Sequence, residues 1–417
     1  MRLGVFHTVA ANPWGGTYTI REDIFRGLAS AVDGSGHELV VFSDDTSVRA
    51  TYPEAGVSWV EVDGLRWRAW TSFLKKRVNR MCSHGLLLPA PFASESWLDP
   101  FIFDAGVDLF VNLGPDAISM AVPYVCAVFD LQHRYQPYMP EASAHGYWER
   151  WDEQYRQVLG RATFVITGTR VGRREIQRFY QVPRERIVKL PHPTPGFAIA
   201  AAQVPRPPRP GYLKPGPFIF YPAQFWAHKN HVTLLEALAI LRNRHQLDLQ
   251  LVLVGSDQGN KAFVLERIAA MGLSDAVHVR GFVERSELVA LYQHALALTY
   301  VSTCGPENLP PLEAFALGCP VINTDLPGAR EQLRGAALIV SMIEPCQIAA
   351  AVLALHHDEA KRAALAAAGR VIAAERTSDH FARGLFEAIT PFTQKRKNWS
   401  TRRPYVKPLR VGRIFGR

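Results

Sequence analysis

Eight prolines fall between residues 193 and 217, at Pro193, Pro195, Pro205, Pro207, Pro208, Pro210, Pro215 and Pro217. Proline fixes φ and lacks an amide donor, so such a block excludes helix and sheet alike and predicts a semi-rigid, extended connection. It cuts the 417 residues into halves of roughly 200, each the size of an ordinary domain.

Both halves alternate short apolar runs with helical periodicity, the pattern of parallel α/β units. In the first half the strand candidates are 3–7, 38–42, 109–112, 124–129 and 163–167, with helices over 19–32 and 148–159. In the second half strands are expected at 218–221, 249–254, 277–279, 295–300, 320–323 and 337–340. Helices over 230–244 and 258–271 lie between them, and three more near 345–356, 358–374 and 376–389 close that domain. The expected organisation is a first domain over 1–195, a linker over 196–217, a second domain over 218–375, a closing helix over 376–392 and a tail over 393–417. Two doubly wound domains would face each other across a cleft.

Charge is unevenly placed. The chain carries 47 Lys and Arg against 38 Asp and Glu, but nine of the basic residues and no acid lie in 391–417, leaving a body with 38 of each. A neutral body with a basic tail fits an anionic surface better than a nucleic-acid groove. No basic and aromatic stripe crosses the body, so no nucleic-acid partner is expected. Five scattered cysteines without a CxxC pair argue for a reducing compartment and against a zinc site. The start reads as a first buried strand and not as a signal peptide. No run approaches the ~20 apolar residues of a spanning helix.

Over residues 66–81, Trp67, Trp70, Leu74, Val78 and Met81 follow helical spacing among Arg66, Arg68, Lys75, Lys76, Arg77 and Arg80. That pattern suits an anionic membrane interface, and equally a helix docked on a core with a solvated basic edge.

Ligands of open parallel sheets bind beyond the carboxyl ends of strands. Three loops there carry unusual residues. Gly15 and Gly16 open the first helix, where backbone can approach a diphosphate, although a Gly pair also makes a plain tight turn. Gln224 and Lys229 follow the first strand of the second domain, and the Lys ammonium at a helix start suits a leaving diphosphate. Glu307, Asn308 and Leu309 precede Pro310 and Pro311, which fit a first helical turn, and Glu313 lies one turn further in. A carboxylate at that place accepts two hydroxyl protons, as a ribose offers; it would also simply complement the helix dipole.

Lys229, the run Leu309-Pro310-Pro311-Leu312-Glu313-Ala314 and the segment Gly318-Cys319-Pro320-Val321-Ile322 together resemble glycosyltransferase family 4, retaining enzymes of the GT-B fold. The resemblance is clearest over 218–330. It implies that Lys229 binds donor phosphates, that Glu313 binds ribose, and that the loop amides at Asn308 and Leu309 hold diphosphate and sugar. It further implies that Gly281, Phe282 and Val283 cradle the base and that Asp130 and His133 face the donor sugar. Two positions depart from the pattern: Gly305 stands where a carboxylate is usual, and Gln224 where an Arg is usual.

The expected activity is metal-independent transfer, with retention, of a hexose from a GDP-, UDP- or dTDP-linked donor to a glycan or lipid-linked acceptor. Lys229, Glu313, Asp130 and His133 would be the catalytic residues, and no separate cofactor is expected. The expected location is cytoplasmic, peripheral on the inner face of the plasma membrane. An epimerase on the same fold would consume donor without acceptor, and a non-catalytic binding protein would turn over none.

Overall fold

The computed structural model describes residues 1–8, 15–45, 47–52, 56–62 and 96–399. The first sheet has seven strands, β1 (Arg2–Phe6), β2 (Glu38–Ser43), β3 (Val57–Glu61), β4 (Leu109–Val111), β5 (Tyr124–Ala127), β6 (Phe164–Thr167) and β7 (Ile187–Lys189). The second has six, β8 (Phe218–Pro222), β9 (Gln250–Val254), β10 (Val277–Arg280), β11 (Ala297–Tyr300), β12 (Val321–Thr324) and β13 (Ala337–Val340). Their orders are β3-β2-β1-β4-β5-β6-β7 and β10-β9-β8-β11-β12-β13, and every pairing is parallel. Each order reverses direction at one crevice, between β1 and β4 and between β8 and β11, which is where such sheets bind ligands.

The apolar runs become strands because helices cover both faces of each sheet. All five residues of β9 are buried, as are all four of β11 and β12. Full burial stabilises each Leu, Ile or Val side chain by about 1.5–3 kcal/mol. Two strands escape the sequence reading, and both lie at sheet edges. β3 is half-exposed along most of its length, and β7 has three residues, so neither makes a long apolar run.

Two boundaries are corrected. Residues 196–217 are not wholly extended, because Gly196–Ala201 forms a helix in a gap that the prolines leave free. It follows Pro195 and seats Ala198 in the second core. The last helix, Ser378–Arg396, does not close the second domain. It crosses back onto the Gly16–Ala31 helix, and Phe381, Ala382, Leu385, Phe386 and Ile389 join Ile24, Phe25 and Leu28 in the core of the first. The amphipathic spacing of this segment was legible, but its partner was not. Arg396 is accordingly part of the packed body, buried and paired with Asp108 at 3.3 Å.

The amphipathic segment 66–81, with Trp67, Trp70, Lys75, Lys76, Arg77 and Arg80, lies outside the described residues, as does the tail from 400 onward. Among the described residues no helix is long and apolar enough to cross a membrane.

The crossing needs a small residue. A Cβ on Gly27 would lie 2.3 Å from the carbonyl oxygen of Ser378. An exposed helical Gly→Ala change would ordinarily stabilise by about 0.5–1 kcal/mol. Here the clash reverses the sign, and Gly27→Ala is expected to cost about 1–3 kcal/mol, read as a lowered Tm in thermal unfolding.

Candidate functional site

A cleft of about 350 Å³ opens between the two sheets at the carboxyl ends of their strands. The second domain supplies Pro222, Gln224 and Lys229 at and after the end of β8, Ser256 after β9, Phe282, Val283 and Arg285 after β10, and Tyr300, Glu307–Pro310 and Glu313 at and after β11. The first supplies Gly15 at the cap of its first helix and Gly16 and Thr17 in that helix's first turn, together with Asp130 and His192.

Local chemistry explains why Lys229 sits where it does. Ala227–Lys229 form one 3₁₀ turn, and Asn230 then takes a left-handed φ of 56° before the His231–His245 helix begins. Asn is among the side chains that tolerate this region best. Its amide Nδ2 donates to the carbonyls of Val301 at 3.2 Å and Met342 at 2.7 Å, which stitches the turn to the loops after β11 and β13. The hydroxyl of Tyr221 donates to the Lys229 carbonyl at 2.7 Å, and the Lys229 ammonium donates to the Tyr300 hydroxyl at 3.0 Å.

Glu313 lies about 7.5 Å further along the helix axis than Asn308, at ~1.5 Å per residue. The Leu309–Leu317 helix carries prolines in its first turn, where missing donors matter least, and ends on Gly318 at a φ of 73°. Its wall is small and apolar, so the carboxyl is buried; one oxygen accepts from the Tyr292 hydroxyl at 2.5 Å. Burial outweighs that bond and pushes the Glu313 pKa up to about 7.

The starts of two helices meet in the cleft. Gly15, at a φ of 115°, turns the chain into the first helix, and a Cβ on Gly16 would stand 3.8 Å from a Leu309 methyl. Two positive helix ends therefore face one space, an arrangement suited to anions.

Several expected residues have other work. His133 does not line the cleft. It is buried, stacks on Tyr155 at 5.5 Å and bonds the Tyr180 hydroxyl at 2.9 Å, and burial lowers its pKa, so it is a neutral core histidine. Gly281 also lies off the cleft lining; its carbonyl accepts from the Gly255 amide at 3.0 Å. Phe282 and Val283 do line the wall. Glu307 borders the cleft, but its carboxylate is spent on Arg376 at 2.8 Å and the His192 amide at 3.1 Å. The Asn308 amide donates to the Gln332 side chain at 3.1 Å, so it is not free for a ligand. Gln224 is tied to Ser256 at 3.0 Å and Trp226 at 3.1 Å. Asp130 is exposed at the rim and accepts from the Gln132 amide at 3.1 Å.

Sequence reasoning missed Tyr300, Ser256, Arg285 and His192. Tyr300 alone left a signal, a hydroxyl that with Thr299 ends an apolar strand ahead of the Glu307–Leu309 loop. Arg285 lies over the Phe197 ring at 4.5 Å, on a helix that had no clear periodicity.

Two facing Rossmann-like domains with the site between them define the GT-B fold. Residues 209–371 match the model of the family described as glycosyl transferases group 1. The O-antigen chain mannosyltransferase B of Escherichia coli is 25% identical over 226 residues, which are 52% of this chain and 58% of that protein. The chain spans about half the length of the curated relatives it matches. Sucrose-phosphate synthase from Thermosynechococcus elongatus superposes with a TM-score of 0.66 at 17% identity, covering 94% of this chain and 99% of the other. The Anabaena protein HepE in complex with UDP and glucose gives 0.63 at 15%, covering 94% and 100%. These likenesses establish the shared fold.

Glu307 and Arg376 are almost wholly buried, with side chains 1% and 10% exposed. Glu307→Ala strands the guanidinium, and the expected loss is about 3–5 kcal/mol in denaturant unfolding without any ligand.

Proposed function

We propose that the protein moves a sugar from a nucleotide-sugar donor onto a glycan or lipid-linked acceptor in surface polysaccharide assembly of the bacterial type. One observation carries the reading: Lys229 and Glu313 line the same cleft, between two converging helix starts. A cation and amide-rich helix ends suit a diphosphate, and a carboxylate beyond them suits the two hydroxyls of a ribose. The relative named as an O-antigen chain mannosyltransferase and the fold-mate holding UDP and glucose support it.

In this mechanism the nucleoside diphosphate leaves as the bond to the anomeric carbon breaks. Lys229 and the helix ends stabilise the charge that develops on the leaving oxygen. The acceptor hydroxyl attacks from the same face through an oxocarbenium-like state and gives its proton to the departing diphosphate oxygen, so configuration is retained and no protein nucleophile is required. Asp130, at the rim, orients a donor or acceptor hydroxyl. Leaving-group stabilisation is assigned to the chain's own groups. The donor is a UDP-, GDP- or dTDP-linked hexose. The enzyme works at the inner face of the plasma membrane, held there by the basic tail and the tryptophan-bearing segment at 66–81.

Turnover of UDP-, GDP- and dTDP-hexoses is followed by release of the nucleoside diphosphate. Lys229→Ala is expected to lower kcat about 10²–10³-fold, the usual cost of one preorganised charge-stabilising donor. Full activity in Lys229→Ala, or no turnover of any donor by the unaltered protein, would sink the reading.

The Glu313 carboxyl, with its pKa near 7, accepts two hydroxyl protons only when ionised. Nucleotide affinity should therefore fall as pH drops below about 7, and that dependence should vanish in Glu313→Gln, as measured by titration calorimetry.

Membrane attachment is checked by flotation with anionic vesicles. Binding should weaken when 400–417 are deleted and Lys75, Lys76, Arg77 and Arg80 are neutralised. Flotation unaffected by both changes counts against attachment.

A further inference from the structure

The position of the Lys229 ammonium is set by a neighbour on the opposite loop. Tyr300 ends β11, is 2% exposed and lines the cleft. Its hydroxyl accepts from the Lys229 ammonium at 3.0 Å. A phenol that accepts from an ammonium must send its own proton elsewhere, and it goes to Asn308 Oδ1 at 2.8 Å. The Asn308 Nδ2 in turn donates to the Gly305 carbonyl at 2.9 Å, which fixes the orientation of the side-chain amide. Three bonds thus run in one direction, from the cation of the loop after β8 to the backbone of the loop after β11.

The chain is tightly framed. Gly305 holds a φ of 106°, and a Cβ there would meet the Asn308 side chain at 2.6–3.1 Å, so the Asn308 amide fills the space where a side chain at 305 would begin. The Tyr300 ring packs edge-on against Tyr221 at 5.6 Å, and Tyr221 holds the carbonyl of Lys229. Lys229 is therefore gripped at its backbone by one tyrosine and at its ammonium by the other. A free lysine has four rotatable bonds, and holding its head in place beforehand removes that ordering cost from ligand binding.

We propose that Tyr300 is a positioning residue that aims the Lys229 ammonium at the terminal phosphate of a bound nucleoside diphosphate and locks the Gly305–Asn308 loop to it. This rests on the donor-binding reading of Lys229 given above. The role requires the hydroxyl and not merely the ring, so Tyr300→Phe, which keeps the packing against Tyr221, is the informative change.

The test compares UDP, GDP and dTDP with their monophosphates by titration calorimetry, because only the diphosphates carry the phosphate that Lys229 is aimed at. The unaltered protein should bind one diphosphate more tightly than its monophosphate. Tyr300→Phe should shrink that preference about tenfold, the size of one lost hydrogen bond to a charged group, and leave monophosphate affinity unchanged. Lys229→Ala should abolish the preference, and Tyr300→Phe on top of it should cost nothing more. The proposal is overturned if Tyr300→Phe keeps the full preference, if it weakens monophosphate and diphosphate alike, or if the two changes add. Absence of any diphosphate preference in the unaltered protein would overturn instead the donor-binding reading beneath it.

Discussion

One buried ion pair ties together the end of the first domain, the loop after β11 and the segment by which the chain leaves the second domain. Glu307 belongs to the loop after β11, its partner Arg376 to the segment where the chain leaves the second domain, and the His192 amide it also accepts from to the end of the first. Gly168 at the end of β6 leaves the room, since a Cβ there would overlap the Glu307 carboxylate. Arg376 continues the network by donating to the Gln332 carbonyl at 3.2 Å, and its own carbonyl accepts from the Thr194 amide at 2.6 Å. A desolvated carboxylate is tolerable only with such complete pairing. The result fixes the start of the Leu309–Leu317 helix against the hinge at which both domains meet.

That anchoring matters because the cleft is assembled from loops, which position chemistry only as well as their supports allow. Lys229 is held through Tyr221, Tyr300 and Asn230, and Glu313 through Tyr292. The two differ in electrostatic setting. Burial opposes the Lys229 charge, but contact with Tyr300 and neighbouring groups outweighs it, so the ammonium stays charged. Among the described residues Glu313 has one neutral donor, Tyr292, and no ion pair; burial prevails over that bond and over the Arg285 charge, so its proton is held to about pH 7.

The departures from the expected pattern follow the same logic. His133 stands in a polar-looking run, Asp130-Leu131-Gln132-His133, yet only Asp130 reaches the rim. One turn of helix, Gln132–Tyr135, rotates the imidazole into the aromatic stack formed with Tyr155 and Tyr180. Glu307 and Asn308 are adjacent to the Pro310-Pro311 signature and line the cleft, but their hydrogen-bonding capacity is consumed by Arg376, Gln332 and Tyr300. Proximity in sequence reported location and not availability.

Local rules were enough for the two α/β series, the strands buried on both faces, the break near Pro193–Pro217, the proline-led helix that carries Glu313 and the place of Lys229 between a strand and a helix. Each of these is written in periodicity or in the backbone limits of Pro, Gly and Asn, which act within a few residues. Only the folded chain decided that Ser378–Arg396 returns to the first core, that Glu307 serves the hinge, that Tyr300 stands between Lys229 and Asn308, and that His133 is buried. Those outcomes depend on which faces meet across tens to hundreds of residues of sequence, and packing and desolvation between distant segments leave no mark on the spacing of either one.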